Sequence, residues 1–429
     1  MKKYFYRLLV KYLCLFIRPN DSVLLYSPPA EPLRQLLAEK VKRMSSPEDV
    51  GDNQAEPDYI VISSEIHYQA DIQQFLSAAY LQCHTDTRLI VTYYSSLWRP
   101  LLSLATFVGW RRKTPEQNWI SHEDITNFLC LSDFEVIRTD QKVLVPFYIP
   151  LISDFANKFL VSLPMIRHLT LVNMVMARPV KPCSSEQGNQ LSVSVIVPAR
   201  NEAGNIESII KRLPAMGPND ELVFIEGHSQ DNTWEIIQQM AEKYKETVRI
   251  RIAQQSGKGK GDAVRKGFDM ATAEILMILD ADMTVAPEEL PKFYQAIIRD
   301  KGEFINGSRL VYPMEGEAMR FLNMVANKFF ALAFSFVIGQ RFKDTLCGTK
   351  VISRENYRRL AAHRSYFGDF DPFCNFDLIF GAARMGLKIV EVPIAYKNRT
   401  YGTTNISRWS HGLLLFRMLG FASFRMRFL

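Results

Sequence analysis

Cysteine is scarce, and it is absent from the patterns that would make it structural. Cys14, Cys83, Cys130, Cys183, Cys347 and Cys374 form no CxxC pair and have no nearby CxxH partner. That spacing argues against a structural zinc site, offers no disulfide framework, and predicts free thiols in a reducing cytosol. Long apolar runs are missing too: the longest uncharged ones, 329–339 and 100–110, reach about half of the ~20 residues that a spanning helix needs. Arg7 and Lys11 interrupt the apolar residues at the start before a signal-peptide core forms, so no export is implied. No internal repeat or low-complexity tract is present. With 47% hydrophobic and 23% charged residues, the chain is too polar for an integral membrane protein and too apolar for a disordered one.

Acid is absent from both ends. Residues 1–20 hold Lys2, Lys3, Arg7, Lys11 and Arg18 without Asp or Glu, and everything after Glu391 holds Lys397, Arg399, Arg408, Arg417, Arg425 and Arg427, again without acid. The net charge is +7, so the interior is slightly acidic and the surplus sits beside apolar residues at the termini. That distribution fits an anionic membrane surface better than nucleic acid.

At 429 residues the chain exceeds the roughly 250–300 residues at which single cores stop growing, which predicts two folded units. Residues 179–190 (PVKPCSSEQGNQ) lack apolar periodicity and precede a clear strand, giving units at 1–178 and 191–429 joined by that linker. In the first unit, strand-like runs at 22–26, 59–62 and 88–92 alternate with helical patterns at 71–81 and 122–131. In the second, runs at 192–197, 222–225, 248–252 and 275–279 alternate with helices starting near 205, 233 and 261. Both read as α/β, the second as a doubly wound, mostly parallel sheet whose ligands sit beyond the carboxyl ends of the strands.

The apolar run 275–279 ends in Asp280-Ala281-Asp282. Unpaired buried charge is prohibitively costly, whereas two carboxylates at a strand mouth suit a hard divalent cation that also takes phosphate oxygens. On spacing alone, an exposed turn that favours Asp stands beside that reading. Three further clusters lie at strand ends or helix starts: Pro198-Ala199-Arg200-Asn201-Glu202, Glu226-Gly227-His228-Ser229 and Gly257-Lys258-Gly259-Lys260-Gly261. Backbone N–H groups and helix dipoles favour phosphate at such places, although the glycine-lysine cluster lacks P-loop spacing.

SVIVPARNEAGNI, EGHSQDNTWE, GKGKGDAVRKGF and LDADMTV, in that order, resemble glycosyltransferase family 2, in its polyprenyl-phosphate (dolichol-phosphate mannose type) branch. The resemblance implies a GT-A fold over 191–429. It also implies that Pro198, Arg200, Glu202, Glu226 and Lys260 contact a UDP- or GDP-sugar, and that Asp280 and Asp282 hold Mg²⁺ or Mn²⁺ on its diphosphate. The branch commonly places Gln as a third metal ligand where this chain has Thr284, so a hydroxyl or a water substitutes. Asn306-Gly307-Ser308-Arg309 and Asp344-Thr345-Leu346-Cys347-Gly348 match acceptor-side elements, with Arg309 gripping an acceptor phosphate. Asp377 corresponds to an acidic residue beside the acceptor, and Cys374-Asn375 stands where relatives carry a Glu-Asp pair. Asp369 and Asp371 are alternates as a base, or turn formers. A phosphate acceptor, already largely dianionic at neutral pH, needs no base, which favours a lipid phosphate and direct displacement with inversion. Arg399-Thr400-Tyr401-Gly402 resembles a loop whose arginine closes over the diphosphate; Thr404-Asn405 replaces the usual Ser/Thr-Lys, and Arg408 stands near enough in sequence to compensate. From Trp409 onward, Leu, Phe and Met alternate with arginines as in an interfacial amphipathic helix, or in a helix packed on its own domain.

Residues 57–178 resemble the second half of class I S-adenosylmethionine-dependent methyltransferases, through DYIVIS, EIHY, TRLIVT, NWI and DFEVI. In place of that fold's Gly-rich turn stands Ser27-Pro28-Pro29-Ala30-Glu31-Pro32. Prolines supply neither the conformation nor the N–H donors that the turn needs. The short interval from Tyr26 to Asp58 further implies that the ribose-binding strand is deleted and replaced by a flexible acidic loop, so S-adenosylmethionine is not an expected cofactor. The basic stretch 2–18 has a surface-seeking composition, and 148–176 is apolar and lightly charged, like a membrane-facing or a core segment. The whole reads as a metal-dependent hexosyltransferase resting peripherally on the cytoplasmic face of the membrane. A glycan or other hydroxyl acceptor, and a non-catalytic membrane scaffold, are the alternatives.

Overall fold

The computed structural model describes the chain apart from residues 1, 27–30, 47–56, 110–117, 164, 181–190, 310–320, 364–374, 398, 400, 402–407 and 428–429. Asp369, Asp371, Cys374 and the Thr404-Asn405 pair therefore lie outside the described residues. The chain forms two compact units, Met1–Pro182 with Ser423–Leu429, and Cys183–Ala422. Each is built on a mixed, mostly parallel sheet carrying helices.

The first sheet contains β1 (Ser22–Leu25), β2 (Arg43–Ser45), β3 (Tyr59–Ser63), β4 (Arg88–Tyr94), β5 (Phe134–Lys142) and β6 (Val172–Pro179), in the order β2-β1-β3-β4-β6-β5. The first four are parallel; β6 runs antiparallel to both β4 and β5. The Ile- and Val-rich strands β3 and β4 are buried almost throughout, as expected of central parallel strands covered on both faces. One expectation is corrected here. The interval from Tyr26 to Asp58 is not strand-free: it holds β2, three residues paired in parallel with β1. Its sequence, Arg-Met-Ser, has none of the β-branched character that marks a strand in isolation. The helix Lys2–Leu13 likewise differs from a purely surface-seeking segment: Leu8, Leu9, Tyr12 and Leu13 are buried in the core, while Lys3, Arg7 and Lys11 stay exposed.

The second sheet contains β7 (Val193–Ala199), β8 (Glu221–Glu226), β9 (Arg249–Gln254), β10 (Ile275–Ile278), β11 (Phe304–Ser308), β12 (Lys350–Ser353) and β13 (Ile389–Pro393), in the order β13-β11-β12-β10-β7-β8-β9. Strands β10, β7, β8 and β9 are parallel, so their carboxyl ends share one edge. Antiparallel β12 between β10 and β11 brings the segment before Lys350 to that same edge. The helix Lys260–Met270 lies close to β7 at Gly267, where a Cβ would meet Ile196 Cγ2 at 2.5 Å.

Among the described residues no helix is long and apolar enough to cross a membrane. The helix Arg408–Met426 buries Leu415, Met418, Ala422 and Met426 and exposes Leu413 and Phe416. Arg427 is no headgroup-facing arginine: it is buried and donates to Asp140 at 2.7 Å, within the first unit.

Candidate active site

The carboxyl edge of β10 presents Asp280 and Asp282. The chain reverses immediately after them: Met283 adopts φ 54°, and Thr284 donates its N–H (3.1 Å) and its hydroxyl (2.8 Å) to Asp282 Oδ1. Thr284 thus braces Asp282, and its hydroxyl proton is already engaged there. Each aspartate faces a cation. Lys260, the first residue of its helix, pairs with Asp280, and Arg399 Nη2 donates to Asp282 Oδ2 at 2.8 Å. Arg399 Nη1 also reaches Glu202 Oε1 at 3.3 Å. This arginine thereby joins the ends of β7 and β10. Tyr401 lies over Gly204, where a Cβ would come within 2.7 Å of its ring.

Electrostatics follow from this crowding of like charges. Burial, together with repulsion from Asp282 and Asp280, pushes the Glu202 carboxyl up to about 7 against the pull of Arg399. Glu226, buried at the end of β8, goes the other way. Burial alone would raise it, but hydrogen bonds from the Ser229 and His228 backbone and from Gln254 hold it below its ordinary value. Pro198 is half-buried at the end of β7, and Arg200 just beyond it is exposed, its Cβ about the Gly227 backbone.

A second cluster surrounds the ends of β11 and β12. Arg309 binds Asp344 through Nε (2.6 Å) and Nη2 (2.8 Å), and its guanidinium lies 5.1 Å from the Tyr396 ring centre. Asp344 is fully buried, and the adjacent Arg309 guanidinium holds its carboxyl below the usual range despite burial. Lys350 is buried as well, donating to Asn306 Oδ1 at 3.0 Å and to the Cys347 carbonyl; burial pushes its ammonium down to about 8. Near the ion pair, Ser308 Oγ, Thr345 Oγ1, Thr349 Oγ1 and Asn327 Oδ1 are buried without a hydrogen-bond partner among the described residues. Buried polar atoms of this kind call for water or a ligand.

The comparisons with known proteins bear on the unit that carries these clusters. Residues 194–361 match the family description "Glycosyl transferase family 2". The chain is 30% identical over 227 residues to glycosyltransferase AglJ of Haloferax volcanii, spanning 52% of this chain and 70% of that protein. The chain belongs to glycosyl transferase family 2. It is also 27% identical over 219 residues to the polyprenol monophosphomannose synthase of Mycolicibacterium smegmatis, covering 50% of this chain and 80% of that one. A solved glucosyl-3-phosphoglycerate synthase from Mycobacterium tuberculosis, in complex with Mn²⁺, UDP-glucose and glycerol 3-phosphate, overlays with a TM-score of 0.40 at 20% identity. That overlay covers 55% of this chain and 80% of the other, and it assigns nothing to this chain.

In this family 2 glycosyltransferase, the structure brings Glu202, Lys260, Asp280, Asp282, Thr284 and Arg399 into one contact network. Asp377 is buried and pairs with Arg265 at 3.4 Å, five residues along the helix from Lys260. Arg309 has two of its three guanidinium nitrogens on Asp344, which leaves Nη1. Lys350 was not legible as a site residue, because a lone lysine in a sequence reads as surface.

Do the residues fit a divalent cation? Two carboxylate donors at one strand mouth suit Mg²⁺ or Mn²⁺, ions held by one or two carboxylates plus substrate phosphates. Among the described residues no three His, Cys, Asp or Glu side chains are grouped to hold a metal by themselves. Gly348 sets the position of Asp280, since a Cβ there would lie 2.0 Å from Asp280 Oδ2 and 2.6 Å from Lys260 Nζ. Gly348→Ala must therefore turn the carboxylate away. The expected result is a loss of about ten- to a hundredfold in transfer rate at fixed metal concentration, with the melting temperature nearly unchanged. A metal titration of the initial rate checks it.

Proposed function

We propose that this transferase moves a hexose from a UDP- or GDP-sugar to a polyprenyl phosphate, with inversion at the anomeric carbon, at the cytoplasmic face of the membrane. The observation that carries the reading is the shared edge: the Asp280/Asp282 network and the Arg309–Asp344 cluster both lie where β10, β11 and the entry to β12 meet.

On this reading Asp280 and Asp282 hold Mg²⁺ or Mn²⁺, which would neutralise charge growing on the leaving diphosphate. Pro198, Arg200 and Glu226 line the nucleotide pocket at the ends of β7 and β8. Lys260 and Arg399 offset the two aspartates while no nucleotide is present, and become the cations that meet the diphosphate when it arrives. Arg309 Nη1, with the unpartnered hydroxyls of Ser308, Thr345 and Thr349, supplies donors to an acceptor phosphate. Such a phosphate attacks without surrendering a proton, so the pairing of Asp377 with Arg265 removes nothing that the reaction requires. The name of the M. smegmatis relative points to the same acceptor class. Exposed Phe329 and Leu332 on the helix Phe321–Ile338, beside Phe416, give this unit an apolar face suited to a lipid-borne acceptor.

The Met1–Pro182 unit we read as methyltransferase-like and non-catalytic. Its support is the parallel β2-β1-β3-β4 core together with a proline-rich, glycine-free sequence after β1. Incubation with labelled nucleotide sugar and a lipid extract tests the transfer reading. Label is expected in the organic phase, dependent on divalent metal. Label confined to a water-soluble glycan would replace the acceptor with a hydroxyl, and absence of nucleotide-sugar binding by calorimetry would leave a scaffold.

A further inference from the structure

Large apolar side chains of the first unit stand in solvent on two segments. One is the helix Arg99–Phe107, with Leu101, Leu104 and Phe107 exposed; the other is the stretch 147–169, including Leu151, Phe155 and Met165. Leu151, Met165 and Phe107 are 85%, 89% and 89% exposed, values rare for such residues in a soluble unit. The segments adjoin one another, because Trp98 Nε1 donates to the Leu169 carbonyl at 2.9 Å. They also adjoin the N-terminal helix Lys2–Leu13: the Tyr4 and Tyr148 rings lie 5.3 Å apart, and the Tyr4 hydroxyl donates to Asp154 at 2.9 Å.

Charge decides what such a face meets. Lys3, Arg7 and Lys11 are exposed at i, i+4 and i+8 along one side of that helix. Burial of its stem and the nearby Lys158 ammonium lower the Lys11 pKa against the pull of Asp154, so two lysines and one carboxylate meet here. Residues 1–20 and 95–109 contain no acid, and 143–171 contain only Asp154, which is bound to Tyr4. Meanwhile Leu8, Leu9, Tyr12 and Val161 turn inward and are buried. The same segments are therefore two-faced, with the outer face both apolar and basic.

We propose that this face docks the first unit on a bilayer containing anionic lipid, with Leu151, Phe155, Met165 and Phe107 entering the acyl boundary and Lys3, Arg7, Lys11 and Lys158 meeting headgroups. A second copy of the chain would bury the apolar residues but would set its own lysines against these. The inference goes beyond the transfer reading: it stands whatever the acceptor is, and it gives a unit without a cofactor loop a task.

Full-length protein is floated with vesicles of phosphatidylcholine alone or mixed with phosphatidylglycerol. Binding is expected to the mixed vesicles and to weaken with added salt. Leu151→Asp with Phe155→Asp, and separately Lys11→Glu with Lys158→Glu, should each lower the partition coefficient at least about tenfold. A thermal melting profile of the unliganded protein, unchanged in both pairs, verifies that the first unit is folded. Transfer to a water-soluble short-chain acceptor reports on the transfer reading separately. The proposal is overturned if the parent ignores anionic vesicles, if both variant pairs bind like the parent, or if the apolar pair abolishes self-association while vesicle binding persists.

Discussion

Asp282→Ala is expected to lower sugar transfer by about 10²- to 10³-fold, the scale on which single electrostatic contacts to developing charge act. The residue has three structural ties: the Thr284 N–H, the Thr284 hydroxyl and Arg399. None belongs to the apolar core beneath β10, and Arg399 keeps its second partner, Glu202. The fold should survive, so melting temperature without ligand should stay close to the parent's. The metal-dependent part of the stabilisation by nucleotide sugar should disappear, since a ligand stabilises only as far as it binds the native state. Initial rates and thermal shifts, each with and without Mn²⁺, measure both effects. Parent-like rates in the variant would remove Asp282 from the metal site.

The second large effect concerns stability. Asp140, in β5, is buried against Arg138 (Nε at 2.5 Å) and Arg427 (Nη1 at 2.7 Å), with Lys142 beside it. Arg138 also lies 5.1 Å above the Phe16 ring centre, and Lys142 lies 4.9 Å from that of Tyr12. Two buried guanidinium groups and the Lys142 amine, which burial pushes down to about 7, thus share one carboxylate. Removing one partner of a buried pair costs about 3–5 kcal/mol because the other charge is left uncompensated. Asp140→Ala should fall in or above that range and melt the first unit early. Burial alone would raise the Asp140 carboxyl, but Arg138, Lys142 and Arg427 more than reverse this and hold it well below the usual carboxylate range. Its folded value is thus below its unfolded one. The stabilisation is complete above the ordinary carboxylate range and is lost as pH falls through and below about 4. Urea titrations of parent and Asp140→Asn across that interval should converge toward the acid end; a constant difference would show that the Asp140 charge is not what stabilises the unit, and coincident curves that the cluster contributes nothing.

Much of the site was legible because its carriers are local. An uninterrupted apolar run such as 275–279 announces a buried parallel strand, and the carboxylates at its end suit a hard cation, a reading that an exposed turn favouring Asp shares until the neighbouring motifs are added. β2 was missed for the converse reason: a three-residue edge strand is defined by its partner and not by its own composition. The partners of Arg309 and Asp377 could not be read either. Both were placed by motif near an acceptor, and the structure gives each a buried carboxylate–guanidinium pair, to Asp344 and to Arg265.

The sequence by itself determined the two α/β units, the family and the strand-end positions of the nucleotide motifs, all properties of short segments. Only the tertiary structure decided which charges meet. Arg399 joins Glu202, 197 residues away, to Asp282, 117 residues away; Arg427 closes on Asp140, 287 residues away; and Lys350 is buried beside Asn306 and Cys347. Side-chain charge has no periodicity to betray its partner, and its energy depends on distance and burial, which exist only once the sheets are assembled.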